Sequence, residues 1–241
     1  MAASLSLGID IGGTFTDLVI LDPSDGRAVI WKESTTPDDP SRGAITGLRR
    51  LLDKGGIAPS SIGRVVHATT LFTNALIERK GAATGLLTTD GFTDVLEIAR
   101  ERKYELYDLF LEMPAPLVPR PWRRAALERL GPDGSVERPL DVDAALWEVD
   151  SLVAAGVTSL AICFLHAYAN PAHERMAAEA IARRFPALSL SLSSELSPEI
   201  REYPRMVTTA ANAYVRPIAE TYLDTLEAAL KGAGIPGGLF L

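Results

Sequence analysis

Cysteine is almost missing from this chain: one residue, Cys163, among 241. A single thiol excludes an internal disulfide and any zinc site built on cysteines. Its place inside LAICFL (160–165) marks it as a small buried hydrophobe. Histidine is scarce too, with three residues in all. No apolar run approaches the roughly 20 residues that a membrane-crossing helix needs. The N-terminus lacks the basic start and long apolar stretch of a secretory signal, so a cytoplasmic chain is predicted. An excess of positive charge is also absent: 31 acidic residues face 24 basic ones, for a net charge of −7. That balance argues against nucleic acid or a membrane surface as partner. The one basic cluster, RPWRR (120–124), is short, interrupted by Pro121, and reads as a solvated loop. Low-complexity segments and short-period repeats are missing as well. What remains is a chain with 47% hydrophobic residues, enough for the core of one or two domains.

The most informative stretch is LSLGIDIGGTFTDLVIL (5–21). Leu5, Leu7, Ile9 and Ile11 alternate with smaller or polar residues at the period of a strand, and the apolar character resumes at Leu18. The polar turn between therefore joins two strands. The dinucleotide fingerprint GxGxxG and the phosphate loop GxxxxGK[ST] both need a helix after the glycines, and neither pattern occurs. A nucleophile elbow GxSxG is also absent. The turn nonetheless suits a phosphate. Gly12 and Gly13 carry no Cβ and can adopt positive φ, and consecutive N–H groups in such a turn form an anion-binding concavity. Thr14 and Thr16 add hydroxyls, while Asp10 and Asp17 can hold a hydrated Mg²⁺ on the same phosphates. A plain hairpin whose glycines serve only turn geometry is the competing reading.

A third strand, AVIWKES (28–34), completes an antiparallel meander. Asp39 then caps a helix with Pro40 at its first position, stopped by Gly55-Gly56, with Ile45, Leu48 and Leu52 inward. A short strand at 64–67 leads into a helix through Asn74 to Lys80. A buried strand at 85–88 follows, and Asp90-Gly91-Phe92 opens a helix carrying Val95, Leu96 and Ile98. Strand and helix alternating in this way predict parallel pairing. Prolines 114, 116, 119 and 121 interrupt regular structure, and 124–140 reads as a hairpin about Gly131-Pro132-Asp133-Gly134. Asp141 caps a helix ending at Gly156, and 159–165 is a buried strand. A helix capped by Asn170 follows, with Met176, Ala180 and Ile181 inward. A strand at 188–192 precedes a long helix marked by Val207, Ala211, Tyr214, Ile218, Tyr222 and Leu226, with a kink expected at Pro217. Gly237 to Leu241 reads as the start of another strand.

Outside the turn, His67 falls at the C-terminal end of a predicted strand, where ligands gather in open α/β sheets. Its imidazole could transfer a proton, with Thr69, Thr70 and Asn74 beside it as ligand contacts or as ordinary helix caps. Asp90, Asp94, Glu97, Arg100 and Arg102 could place charge over a ligand, although helical spacing favours the plainer reading, one solvated face of Asp94, Glu97 and Glu101. Arg100 is the preferred member because arginine can clamp a carboxylate bidentately. His166, His173 and Glu174 do not have metal-ligand spacing.

DIGGTFTD (10–17) resembles the first phosphate loop of the sugar kinase, heat-shock 70 and actin superfamily, and more narrowly the hydantoinase A/5-oxoprolinase family. HATTLFTNALIERKGA (67–82), TTDGFTDVLEIAR (88–100), LYDL (106–109), FLHAYANPAHE (164–174), LSSELSPEIREYPR (192–205) and NAYVRP (212–217) carry the same likeness along nearly the whole chain. Ala68 departs from the glycine more usual there. The resemblance implies an α/β fold, a ribonuclease-H-like (actin-like ATPase) lobe with a mixed sheet, expected to be incomplete at its C-terminus. It further implies a family N-terminal domain over 4–187 and the start of the following hydantoinase A domain over 188–241. ATP and Mg²⁺ are the implied cofactors. The implied activity is ATP-dependent hydrolysis of a cyclic amide of the 5-oxoproline or hydantoin type through a phosphorylated amide, inactive in this chain alone. In that scheme Asp10 and Asp17 serve the metal, with Asp10, His67 and Arg100 catalytic. Gly12, Gly13, Thr14, Thr16, Asp17, Thr69, Thr70 and Asn74 serve the nucleotide. The implied partners are the downstream hydantoinase A segment and a hydantoinase B-type subunit or domain. Two alternatives share the same ATP site: a subunit of a biotin-independent ketone carboxylase, or an inactive assembly module.

Overall fold

A computed structural model describes residues 4–36, 39–100 and 105–241. In chain order the strands and helices are β1 (Leu5–Ile11), β2 (Phe15–Leu21), β3 (Ala28–Ser34), α1 (Pro40–Gly55), β4 (Ile62–Thr69), α2 (Leu71–Ile77), β5 (Thr84–Thr89) and α3 (Val95–Ile98). There follow β6 (Arg123–Ala126), β7 (Arg129–Leu130), β8 (Val136–Arg138), α4 (Val142–Ala154), β9 (Ser159–Cys163), α5 (Ala172–Arg184), β10 (Ser189–Leu192), α6 (Ser193–Leu196), α7 (Glu202–Gly232) and β11 (Gly238–Phe240). The chain divides into two compact units, one comprising Met1–Glu78 with Ile218–Leu241 and the other Arg79–Pro217.

The first unit is a five-stranded mixed sheet in the order β11-β4-β1-β2-β3. β1 pairs antiparallel with β2 and parallel with β4. The strand period decides what each face does. Leu7, Ile9, Ile11, Leu18 and Ile20 point to one face and are buried against Leu48 and Leu51 of α1 and Tyr222, Leu226 and Leu230 of α7. Fully burying a leucine contributes about 1.5–3 kcal/mol, so this face holds the unit together. The opposite face carries Asp10 and Asp17 with Val19, Ile30 and Val66, all partly or largely exposed.

α1 starts as its caps dictate. Asp39 accepts a hydrogen bond from the Ser41 N–H, Pro40 occupies the first turn, and Gly56 closes the helix at φ 60°. Its inward stripe is Ala44, Leu48, Leu51 and Leu52, with Ile45 only half-buried, a rotation from the expected set. Gly43 and Gly47 also face inward, which lets the helix lie directly on β3. A Cβ on Gly43 would meet the Ser34 carbonyl oxygen at 2.9 Å, and one on Gly47 would meet the Leu18 side chain at 2.7 Å.

The second unit is a parallel sheet in the order β10-β9-β5-β6. The segment expected to form one hairpin divides instead. β6 joins β5 in parallel, and only β7 and β8 form the antiparallel pair. The reason is pairing: the edge of β5 takes up the Arg123–Ala126 backbone before the Gly131 turn begins. α3 is a single turn rather than the longer helix expected from Asp90, and Glu101 and Arg102 fall outside the described residues. Met176 is 47% exposed, so α5 faces inward through His173, Glu174, Ala177, Ala180 and Ile181. Cys163 is buried, and burial pushes its thiol up to about 12, so it stays protonated and inert. α7 runs on through Pro217.

Each candidate metal side chain of this unit is engaged in the fold. His173 Nδ1 lies 2.8 Å from Glu128 Oε2, and His166 Nδ1 donates to the Leu130 carbonyl at 2.7 Å. Glu174 accepts from Phe164 N at 2.9 Å, Ser193 Oγ at 2.6 Å and Ser194 N at 2.8 Å. Among the described residues, no helix is long and apolar enough to cross a membrane.

Gly43→Ala is expected to destabilise the protein by about 1–3 kcal/mol, because the new methyl meets a backbone oxygen that cannot rotate away. Urea unfolding followed by circular dichroism checks this; a stability within about 0.3 kcal/mol of wild type would contradict the close approach.

Candidate functional site

The Gly12–Thr14 turn sits at the end of β1 and is held from below. Gly12 N–H donates to the Phe15 carbonyl at 3.0 Å, and Thr35 N–H donates to the Thr14 carbonyl at 3.0 Å. Thr35 Oγ1 donates to the Gly12 carbonyl at 2.9 Å and lies 3.1 Å from Thr16 Oγ1. With the Thr35 proton committed to Gly12, Thr16 is the donor of that second bond. Neither glycine uses positive φ, which corrects the expectation from their conformational freedom. Their contribution is space. A Cβ on Gly12 would come 3.2 Å from the Phe15 carbonyl oxygen, and one on Gly13 would stand 3.6 Å from Asn74 Nδ2. Among the described residues, nothing accepts the N–H groups of Gly13 and Thr14. Two adjacent free donors at an exposed tip are what a phosphate oxygen needs.

Asp10 and Asp17 face each other across the β1–β2 register on the exposed side of the sheet. Their situations differ. Asp17 is directly opposite Lys32 on β3, whose Nζ donates to both its oxygens at 2.7 and 2.9 Å. Asp10 is exposed and, among the described residues, has no hydrogen-bond or ion-pair partner. Both line a cavity of about 280 Å³ floored by Gly8, Val19, Ile30, Val66 and Ala68. Of the two expected metal carboxylates, then, Asp10 is free to bind a hydrated cation. Asp17 is held by Lys32.

His67 lies on the dry side of the sheet, 3% exposed. Its Nδ1 is 3.1 Å from the Ile9 carbonyl, and its Nε2 is 2.8 Å from the Tyr222 hydroxyl of α7. A carbonyl only accepts, so Nδ1 carries the proton and Nε2 accepts from Tyr222. Burial lowers the His67 pKa below the usual histidine value, against opposing contributions from the Ile9 carbonyl and the Asp10 charge. Burial likewise raises that of the Tyr222 phenol. With both nitrogens filled by the protein, the ring is placed to fix β1 beside Asp10 rather than to exchange a proton with a ligand, as had been expected of it.

Thr69 Oγ1 donates to the Ile11 carbonyl at 3.0 Å and accepts from Leu71 N–H at 3.1 Å, so it starts α2. Thr70 is exposed and its N–H donates to the Ile11 carbonyl at 3.3 Å. Asn74 is half-buried beside Gly13. Thr14 is exposed at the tip, and Thr16 is fully buried. In the first unit Gly13, Thr14 and Thr70 are exposed near the end of β1 with Asn74 beside Gly13, and Asp10 is exposed two residues before Gly12. Thr16, Thr35, Thr69, His67 and Tyr222 bond the backbone or one another. Arg100 belongs to the second unit. Thr35 and Tyr222 were not anticipated as site residues. Thr35 follows a strand with no motif of its own, and Tyr222 reads as one more apolar position of α7. Only the tertiary hydrogen bonds reveal them.

The donor set fits a phosphate-bearing ligand with a hydrated cation: free N–H groups, an exposed hydroxyl, a side-chain amide and one unpaired carboxylate. A family model described as the hydantoinase/oxoprolinase N-terminal region matches residues 6–185. The caprolactamase alpha subunit of Pseudomonas jessenii is 36% identical over 95% of this chain and 34% of its own length. The acetophenone carboxylase gamma subunit of Aromatoleum aromaticum is 30% identical over 98% of this chain and 34% of its own. The crystal structure of the ATP-dependent caprolactamase from Pseudomonas jessenii superposes with a TM-score of 0.88 at 35% identity, over 97% of this chain and 35% of that one. The fold is accordingly the mixed-sheet, actin-like ATPase α/β fold. The chain spans about a third of the length of these relatives.

Stability should carry a pH signature of His67. Its pKa is lowered on folding, so the unfolded chain takes up the proton first as pH falls below about 6.5. The protein should therefore lose stability from pH 7 downward until the folded-state pKa is passed, and His67→Gln should flatten that part of the profile. Thermal unfolding of both proteins between pH 8 and pH 5 provides the comparison; parallel profiles would refute the buried neutral imidazole.

Proposed function

We propose, from the premise that this chain belongs to the hydantoinase/oxoprolinase family, that it is the ATP-handling part of an enzyme hydrolysing a cyclic amide of the 5-oxoproline or hydantoin type. The observation carrying this reading is the exposed Gly12–Thr14 turn with two free N–H groups and the unpaired Asp10 carboxylate at its base. An unstrained amide is a poor electrophile. ATP with Mg²⁺ would supply the phosphoryl group that converts the amide oxygen into a leaving group, after which water opens the ring and phosphate departs. In this scheme Asp10 orders the cation, and Gly12, Gly13 and Thr14 hold phosphate through backbone and hydroxyl donors. Thr70 and Asn74 border the ligand, and Thr16, Thr35 and the Asp17–Lys32 pair keep the turn in place. His67 and Tyr222 position β1.

The likeness to the acetophenone carboxylase gamma subunit supports a second reading, in which the same ATP site serves carboxylation of a ketone. Bicarbonate-dependent ATP turnover with a ketone would select it, whereas turnover with a lactam or hydantoin alone would select the hydrolase. Under either reading, residues 188–241 open a further hydantoinase A segment and the partner is a hydantoinase B-type subunit or domain. The place of action is the cytoplasm. Because the chain spans only about a third of its relatives, it should not turn over ATP by itself.

In the complete enzyme, Asp10→Asn should lower Mg²⁺-dependent turnover by roughly a hundredfold or more, since it removes charge with almost no change of shape. Gly13→Val should weaken nucleotide binding by at least about tenfold while the fold persists, because the first added carbon meets only the Asn74 amide. Coupled ATPase assays and calorimetric titration with nucleotide read both. Wild-type turnover in folded Asp10→Asn, together with unchanged affinity in Gly13→Val, would reduce the turn to a hairpin.

A further inference from the structure

The second unit contains a polar cavity of about 600 Å³ that the phosphate turn does not explain. It is walled by Ile98 at the end of α3 with Ala99 and Arg100 after it, and by Arg201 just before α7 with Glu202, Tyr203 and Pro204 in its first turn. Among the described residues, four that are not glycine hold positive φ, and two of them meet here: Ala99 at 52° and Arg201 at 79°. Ala99 combines that φ with ψ −127°, a region that belongs to glycine. Strained backbone persists only where its surroundings enforce it, and it concentrates at ligand sites. Both strained residues stand at an arginine of the cavity wall, Ala99 immediately before Arg100 and Arg201 in itself. Neither Arg100 nor Arg201 has a hydrogen-bond or ion-pair partner among the described residues. Four other arginines of this unit are matched to carboxylates, Arg120 to Asp94, Arg123 to Glu97, Arg124 to Glu148 and Arg184 to Asp150, whereas Arg79, Arg129 and Arg205 reach backbone carbonyls.

We propose that this cavity binds a small organic carboxylate, clamped by Arg100 and Arg201, with Ile98, Ala99 and Tyr203 against its carbon chain. Two planar guanidinium forks match the two oxygens of a carboxylate, and apolar wall atoms distinguish an organic acid from an inorganic anion. The inference rests on the proposed reaction only for the source of the ligand. Opening a lactam yields an amino carboxylate, and carboxylating a ketone yields a keto carboxylate, so either chemistry generates the group this wall recognises.

The test is ligand-observed NMR titration of the 241-residue chain with 6-aminohexanoate, acetoacetate, hexanamide and inorganic phosphate. At least one carboxylate should bind, at least about tenfold more tightly than hexanamide or phosphate, and the Arg100→Gln/Arg201→Gln double variant should lose that binding by a similar factor. Preference for 6-aminohexanoate would support the site with a lactam as source, and preference for acetoacetate would support it with a ketone. Arg201→Gly should raise the thermal midpoint by relieving the strained φ while weakening carboxylate binding, a pairing that a merely structural arginine would not produce. Asp10→Asn should leave the binding intact, which separates this site from the proposed phosphate site. The proposal is overturned by no carboxylate binding at about 10 mM. Equal affinity in the double variant, tighter binding of phosphate, or loss of binding in Asp10→Asn would overturn it as well.

Discussion

Everything at the candidate phosphate site depends on β1 being hydrogen-bonded along both edges, antiparallel to β2 and parallel to β4. That double pairing fixes the register in which Asp10 stands opposite Asp17 on one side and Ala68 on the other. Like charges directly opposite in an antiparallel pair repel. The third strand resolves the conflict, because its own register puts Lys32 opposite Asp17. An exposed ion pair of this kind contributes little to stability, about 0–1 kcal/mol. Its effect is on charge placement: Asp17 is matched, and among the described residues Asp10 keeps an unshared carboxylate near a turn whose Gly13 and Thr14 N–H groups have no acceptor.

The same alternation that sends Asp10 to water sends its neighbours Ile9 and Ile11 to the dry side. His67 and Tyr222 meet the strand there, binding the Ile9 carbonyl in series. A neutral imidazole suits this place, since burial disfavours its charged form and a carbonyl can accept only from a protonated Nδ1. Thr16, paired with Ile11, is likewise turned inward, and its hydroxyl bonds that of Thr35, which in turn donates to the Gly12 carbonyl. A one-residue step along the strand thus separates groups able to meet a ligand from groups that fix where it would sit. Gly43 extends this constraint, because α1 can lie against the Ser34 carbonyl only without a side chain there, and Ser34 leads directly into Thr35.

The parts of this fold legible in the sequence are those governed by local chemistry. Asp39, Pro40 and Gly56 delimit α1 through capping groups a few residues apart, and Asp141 begins α4 by accepting from Ala144 N–H. The meander is legible because alternation is a local pattern. Illegible were the features decided by distant partners. Residues 124–140 read as one hairpin because nothing within them shows that β5 offers an open edge to β6. Met176 has the composition of a core residue, yet α5 buries His173 and Glu174 instead, since Glu128, Ser193 and two backbone N–H groups satisfy those polar atoms. At the candidate site, the residue types and the turn could be read directly, whereas the division into exposed and supporting groups could not. Thr16 and His67 have the chemistry of ligand contacts, and only the direction of each side chain in the sheet gives them another place.

Glycine use makes the same point from the opposite direction. Gly12 and Gly13 occupy conformations open to any residue, so the absence of a side chain is the property in use. Ala99 and Arg201 occupy conformations that glycine would adopt without strain, yet they carry side chains. Backbone permissiveness and steric emptiness are separate properties of glycine, and here they bear on different units. In the first unit, emptiness leaves room at a turn whose shape is fixed by Thr35 and Phe15. In the second, a cost of roughly 1–3 kcal/mol per strained residue is tolerated where the chain turns beside Arg100 and Arg201, which have no partner among the described residues. A positive φ at these residues is not a consequence of composition, because nothing in IAR or EIR distinguishes it. Neighbouring structure imposes it, and the arginines so presented have no partner among the described residues.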